Sequence, residues 1–116
     1  MKIEKFETNE RSSRVVVADS LVFIGGTTAP AEVEGIADQT KFVLNKLEGL
    51  LEQYGSCKAN LLSTTIYLKS LDDYNGMNAC WNEWLKDVIA PSRACVGAVL
   101  VGSHALVEIS LIAAKK

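Results

Sequence analysis

Residues 91–109, PSRACVGAVLVGSHALVEI, set the tightest limits on what this chain can fold into. A helix-breaking proline opens the stretch, small and β-branched residues follow, and Gly102-Ser103-His104 supplies turn chemistry before the alternating segment from Ala105 to Ala113. Two β-prone arms around such a turn read as a hairpin. In the second arm Val107, Ile109, Leu111 and Ala113 fall on one face, with Glu108, Ser110 and Ile112 on the other. In the first arm Ala94, Val96, Ala98 and Leu100 are wholly apolar and are assigned to the core. That assignment puts Arg93 and Cys95 on the second face, together with Glu108. With a connection of even length Glu108 comes opposite Val99, roughly 20 Å along the sheet from Arg93. A sheet needs neither charge there, and within one chain they cannot meet. Either they do unrelated jobs, or a second subunit brings one chain's arginine to another's glutamate.

The remaining patterns supply a sheet and two helices. Ile3 to Phe6 reads as a short first strand. Arg14 to Ala18 and Leu21 to Ile24 form a hairpin over Asp19-Ser20, ending at Gly25-Gly26. Adjacent glycines at a strand end admit either positive φ or a close approach, of chain or of ligand. From Val33 the spacing turns helical, with Ile36, Thr40, Val43, Leu44, Leu47, Leu50, Leu51 and Tyr54 on one stripe, closed by Gly55. Leu61 to Lys69 alternates Leu62, Thr64, Ile66 and Leu68 against Ser63, Thr65, Tyr67 and Lys69, and its polar face is placed with Arg93. A second helix, capped by Asp72 or Asp73, runs to about Val88 with Met77, Trp81, Trp84, Leu85 and Val88 buried and Asn78 at the rim. Both tryptophans lie on that stripe and read as core. The expected fold class is α+β, a mixed and mostly antiparallel sheet with two helices on one face, leaving the other face uncovered.

Composition narrows the function. One domain spanning residues 1–116 can bury about two-thirds of its unfolded surface and leaves no room for a second. Apolar residues make up 48%, enough to leave surface for a partner. Twelve basic against fourteen acidic residues give a net charge of −2 with no Lys/Arg run, so no nucleic-acid partner is expected. No apolar run approaches the ~20 residues of a membrane span, and the charged start MKIEKFETNE is not a signal peptide; a cytoplasmic protein is expected. Cys57, Cys80 and Cys95 are odd in number and without paired spacing, so free thiols are expected, with no metal site and no cofactor. A lone histidine excludes Ser-His-Asp and Cys-His systems, and no phosphate loop or dinucleotide fingerprint is present.

Pro91-Ser92-Arg93-Ala94-Cys95-Val96 followed by Val107-Glu108-Ile109 resembles the signature of the Rid family, the reactive intermediate deaminases, also called the YjgF type. Thr64-Thr65-Ile66-Tyr67-Leu68, Leu71-Asp72-Asp73-Tyr74 and Met77-Asn78 are similar to the family's central strand and second helix, so the resemblance covers essentially the whole chain. It implies a fold like that of trimeric chorismate mutase, a homotrimer with a pocket at each subunit junction. It further implies hydrolytic deamination of small 2-imino or enamine acids to 2-oxo acids and ammonia, a reaction needing little acid-base machinery. Arg93 is then the clamp for the substrate carboxylate through two parallel N–H bonds, and Glu108 the group that holds and deprotonates water. Gly25 and Gly26 line the pocket, with Cys95 and Asn78 in its wall. Where the best-characterised branch has a tyrosine and a serine, this chain has Arg14 and Gly25; Arg14 adds charge to the pocket, and Thr27 or Thr28 is left to replace the lost hydroxyl. The alternative is a non-catalytic trimer that binds small carboxylates as a sensor or regulatory partner. A ribonuclease or translation-inhibitor role, sometimes attached to the family, runs against the acidic balance.

Overall fold

Period-two patterning at the front of the chain folds as read. The computed structural model describes residues 1–116. Strands β1 (Ile3–Thr8), β2 (Ser13–Ala18) and β3 (Leu21–Thr27) form an antiparallel meander. Asp19-Ser20 closes β2 onto β3 with Ala18 opposite Leu21; Asp19 takes φ 51°, the left-handed conformation that short hairpin turns favour. Helix α1 (Ile36–Gln53) buries Thr40, Val43, Leu44, Leu47, Leu50 and Leu51, each large aliphatic side chain contributing about 1.5–3 kcal/mol. It begins after Val33, whose N–H is already spent on the Pro30 carbonyl in a turn. Gly55 at φ 86° ends it, with the Ser56 N–H donating to the Leu51 carbonyl at 2.8 Å.

Strand β4 (Leu61–Leu68) carries Thr64, Ile66 and Leu68 on the core face. Leu62, expected beside them, is exposed and Leu61 is buried instead, because the pairing with the last strand slips between Leu61 and Ser63. Helix α2 (Tyr74–Trp84) is shorter than the apolar stripe suggests. Past Trp84 the bonding tightens to i→i+3, with the Lys86 N–H on the Glu83 carbonyl and the Val88 N–H on Leu85. Neither Asp72 nor Asp73 caps it through a side chain; Ser70 Oγ accepts from the Asp72 N–H at 3.2 Å at the head of a 3-10 turn leading in. Trp81 is buried in the core and Trp84 packs against it.

The hairpin expected over residues 91–109 does not form. β5 (Ser92–Gly97) and β6 (Val107–Ala114) lie on opposite sides of β4, and the sheet runs β1-β2-β3-β6-β4-β5. β5 is parallel to β4, with Arg93 opposite Thr64 and Cys95 opposite Ile66; α2 supplies the crossover that a parallel pair requires. β6 is antiparallel to both β3 and β4, with Glu108 opposite Tyr67. Residues 98–106 are therefore a loop, in which Val99 and Val101 are fully exposed. This pairing also reverses the faces of β5. Thr64 and Ile66 look into the core, so Arg93 and Cys95 sit on the helix side and Ala94 and Val96 on the open side. An edge strand buries neither face fully, so its apolar set did not mark the inside. The second arm keeps its assignment: Val107, Ile109, Leu111 and Ala113 are buried, and Glu108, Ser110 and Ile112 look outward. One core joins Val15, Val22 and Ile24 to Ile66, Ile109, the α1 stripe, Met77 and Trp81. The result is the α+β class expected, with both helices on one face of a six-stranded mixed sheet.

Candidate functional site

Arg93 rises from the edge strand β5 against α2. Nη1 donates to Asn78 Oδ1 at 2.7 Å and Nη2 to the Tyr74 hydroxyl at 3.2 Å. Its guanidinium carbon stands 5.5 Å from the Trp81 ring centroid and 5.9 Å from that of Tyr74. Residues 74, 78 and 81 share one helical face, so a single stripe of α2 orients the cation by two acceptors and two aromatic faces. None of the chain's ion pairs includes Arg93. The guanidinium is held by neutral groups and keeps unspent donors, the condition for taking an incoming carboxylate. Cys95, two residues on and on the same face, has its thiol pKa pushed up by burial, against the opposing pull of the Arg93 charge. The shift favours the neutral thiol over the more nucleophilic thiolate.

Glu108 stands on the other side of the sheet. Its register on β4 is three residues from that of Arg93, and β4 alone lies between their two strands, so their backbones are two strand spacings and roughly 14 Å apart with side chains on opposite faces. The two charges fail to meet, as expected, but by facing and not by the length of a hairpin arm. Beneath Glu108 the β3–β6 pairing has a bulge: Ile24 pairs Leu111 and Thr27 pairs Ile109, so Gly25 and Gly26 oppose Ser110 alone. The double glycine serves a close approach, not a left-handed turn, because a Cβ built on Gly26 would lie 2.9 Å from Cδ of Glu108. Thr27 does not join this face. It is buried, and its hydroxyl donates to the Gly25 carbonyl at 3.0 Å; Thr28 is half-buried.

Arg14, on β2 beside the double glycine, has Nε 4.0 Å from Oε1 of Glu7. The other Glu7 oxygen accepts from the Tyr54 hydroxyl at 3.0 Å; burial, then this bond and the Glu7 charge, raise the Tyr54 pKa. On the open sheet face a concavity of about 320 Å³ is lined by Phe23, Gly25, Thr65, Ser110 and Ile112 among others.

Two separate clusters result. One gathers Arg93, Asn78 and Cys95 with Tyr74 and Trp81, which the sequence did not single out for this role; the other gathers Glu108, Gly25, Gly26 and Arg14. His104 joins neither, since its Nε2 lies 3.0 Å from the Ala29 carbonyl. No three His, Cys, Asp or Glu side chains converge, and the three cysteines stand apart as free thiols.

A sequence profile described as Endoribonuclease L-PSP matches residues 2–115. A RutC family protein of Haemophilus influenzae is 38% identical over 114 residues, covering 97% of this chain and 98% of that protein. The crystal structure of a YjgF-family member from Neisseria meningitidis superposes with a TM-score of 0.94 at 39% identity, covering 100% of this chain and 97% of that one. A Rid-family protein from Yersinia pestis shares the fold at 24% identity and a TM-score of 0.88, over 97% and 99% of the two chains. On the profile match across residues 2–115 and these relatives, the chain belongs to the YjgF/Rid family, also described as endoribonuclease L-PSP or RutC.

Proposed function

We propose that this protein is a cytoplasmic homotrimer that hydrolyses small 2-imino and enamine acids to 2-oxo acids and ammonia. The site is a cleft where Arg93 of one subunit faces Glu108 of the next. The observation that carries this reading is the un-neutralised guanidinium of Arg93, aimed by Asn78, Tyr74 and Trp81, with Glu108 on the opposite face of its own sheet. Rid-family proteins are typically imine deaminases, which supports the same assignment. The substrate carboxylate takes the free edge of Arg93, and an enamine first picks up a proton at carbon to become the imine. Glu108 accepts a proton from water as the new C–O bond forms and the C=N π pair moves to nitrogen. It then gives that proton to the amino group of the carbinolamine formed from the protonated imine and takes up the carbinolamine's hydroxyl proton, so that the C–N bond breaks as the C=O bond forms, ammonia leaves, the 2-oxo acid remains and the proton passes on to solvent. A ribonuclease role suits the chain poorly: net charge is −2 and the lone imidazole is engaged with the Ala29 carbonyl.

Replacing Glu108 by Gln separates an enzyme from a carboxylate-binding module. As a deaminase the variant keeps affinity for 2-oxo acids, because Arg93 is untouched, and loses roughly 10²-fold or more in imine hydrolysis. The assay compares freshly generated imines with their uncatalysed decay, at concentrations where the parent assembly persists. An unchanged rate in an intact variant removes the catalytic role, and a parent no faster than buffer across several imines leaves the binding module.

A further inference from the structure

The register of β2 on β3 places Val16 opposite Phe23 and Val15 opposite Ile24, so Arg14 comes next to Gly25. A polar recess of about 180 Å³ opens there, with Glu7, Asn9, Ser13, Arg14 and the two glycines in its walls and no apolar side chain at all. Several of its acceptors are already occupied, Oε1 of Glu7 excepted. Asn9 Oδ1 receives the N–H groups of Arg11 and Ser12 at 2.8 and 3.0 Å. Ser13 Oγ is bonded to Thr8 Oγ1 at 2.7 Å, and one Glu7 oxygen is taken by Tyr54. Its donors are free. The contact of Arg14 Nε with Glu7, at 4.0 Å, is an ion pair beyond hydrogen-bond reach, which fixes the charge nearby and leaves both Nη groups unspent. The Nδ2 amide of Asn9 has no partner either. An open cleft that offers a planar donor fork and an amide suits a group made only of acceptors, and a carboxylate fits that description.

The recess adjoins Glu108, because Gly26 belongs to its wall and also lies against the Glu108 carboxylate. We propose that Arg14 makes this protein selective for acidic substrates, 2-imino acids whose side chain ends in a second carboxylate. Arg93 would hold the carboxylate beside the reacting carbon and Arg14 the distal one. This assignment rests on the deaminase reading for the identity of the reacting group; the recess is open at Gly25, where a Cβ would meet nothing nearer than 3.8 Å, while the space over Gly26 is taken by Glu108.

Calorimetric titration of the intact protein with 2-oxoglutarate and with 4-methyl-2-oxopentanoate reads the selectivity without turnover. In parallel, imines generated by oxidases from glutamate and from leucine read it in kcat/KM. The five-carbon diacid is expected to bind roughly 10- to 100-fold more tightly than the branched monoacid, the range of one charge-assisted contact. Arg14→Met brings that ratio close to one and Arg14→Lys restores part of it, with Arg14→Gln in reserve should the methionine variant fail to fold. A parent ratio near one, or a ratio that Arg14→Met leaves in place, overturns the proposal. If leucine imine is hydrolysed while the ratio is flat, selectivity fails and the deaminase stands. If the ratio holds and no imine is consumed above background, the recess stands as a dicarboxylate site and the deaminase fails.

Discussion

A methyl group on Gly26 would sit 2.9 Å from Cδ of Glu108, whereas one on Gly25 would meet nothing nearer than the Arg14 carbonyl at 3.8 Å. Neither glycine has positive φ, so alanine is conformationally allowed at both and only the contact differs. Gly26→Ala is expected to displace the Glu108 carboxylate and lower imine turnover about tenfold or more, with a smaller loss for Gly25→Ala; paired rates and thermal melts check it. Cys95 carries a pH dependence of its own. Its folded pKa is raised by burial, so the unfolded chain ionises first. The associated stability is present below the ordinary thiol range and falls as pH climbs through the folded value. Melting points measured from pH 7 to 10 should therefore fall more steeply in the parent than in Cys95→Ala. Arg93 and Glu108 stand out in the sequence as candidates because charges in β-prone runs lack a structural reason. Tyr74 and Trp81 were not, because the contact that gives them a role joins a helix to an edge strand whose facing depends on a distant partner. Thr27 was misplaced for the same reason: the bulge at Gly25-Gly26 turns its hydroxyl back onto its own chain.

The periods of α1, β2, β3, β4 and β6 could be read locally because each packs on one core, and apolar spacing records that directly. The pairing of β5 could not. Gly102-Ser103-His104 has hairpin chemistry, yet those residues belong to a loop fastened by contacts far away in sequence. Gln39, a buried polar residue on α1, does the fastening: its amide nitrogen donates to the carbonyls of Val33 and His104 at 3.1 and 2.9 Å, and its oxygen accepts from the Leu106 N–H at 2.8 Å. Gln39→Leu preserves the bulk and strands all three backbone groups. A loss of about 2 kcal/mol or more is expected from chemical denaturation, since each orphaned buried group costs ~1–3 kcal/mol. Amide exchange at Leu106 should accelerate with it; exchange as slow as in the parent would show that another group can take over.

The open face of the sheet presents Val16, Phe23 and Ile112, all half-buried without a covering layer, on a slab measuring 41 × 36 × 22 Å. Sedimentation equilibrium is expected to return the mass of three 12.6 kDa chains. Phe23→Lys should shift the population to monomer while far-UV circular dichroism is unchanged. A parent that sediments as a monomer at micromolar concentration removes the shared cleft. The order of strands carries a different consequence. β6 is the last element in sequence, yet it lies in the middle, zipped to β3 on one side and β4 on the other. Before it arrives the nascent chain holds two separate ribbons, β1-β2-β3 and β4-β5, each with a naked edge toward the gap. Folding must wait for Val107–Ala114 to leave the ribosome, and a chaperone that shields those edges until then protects the half-made protein from pairing with its neighbours.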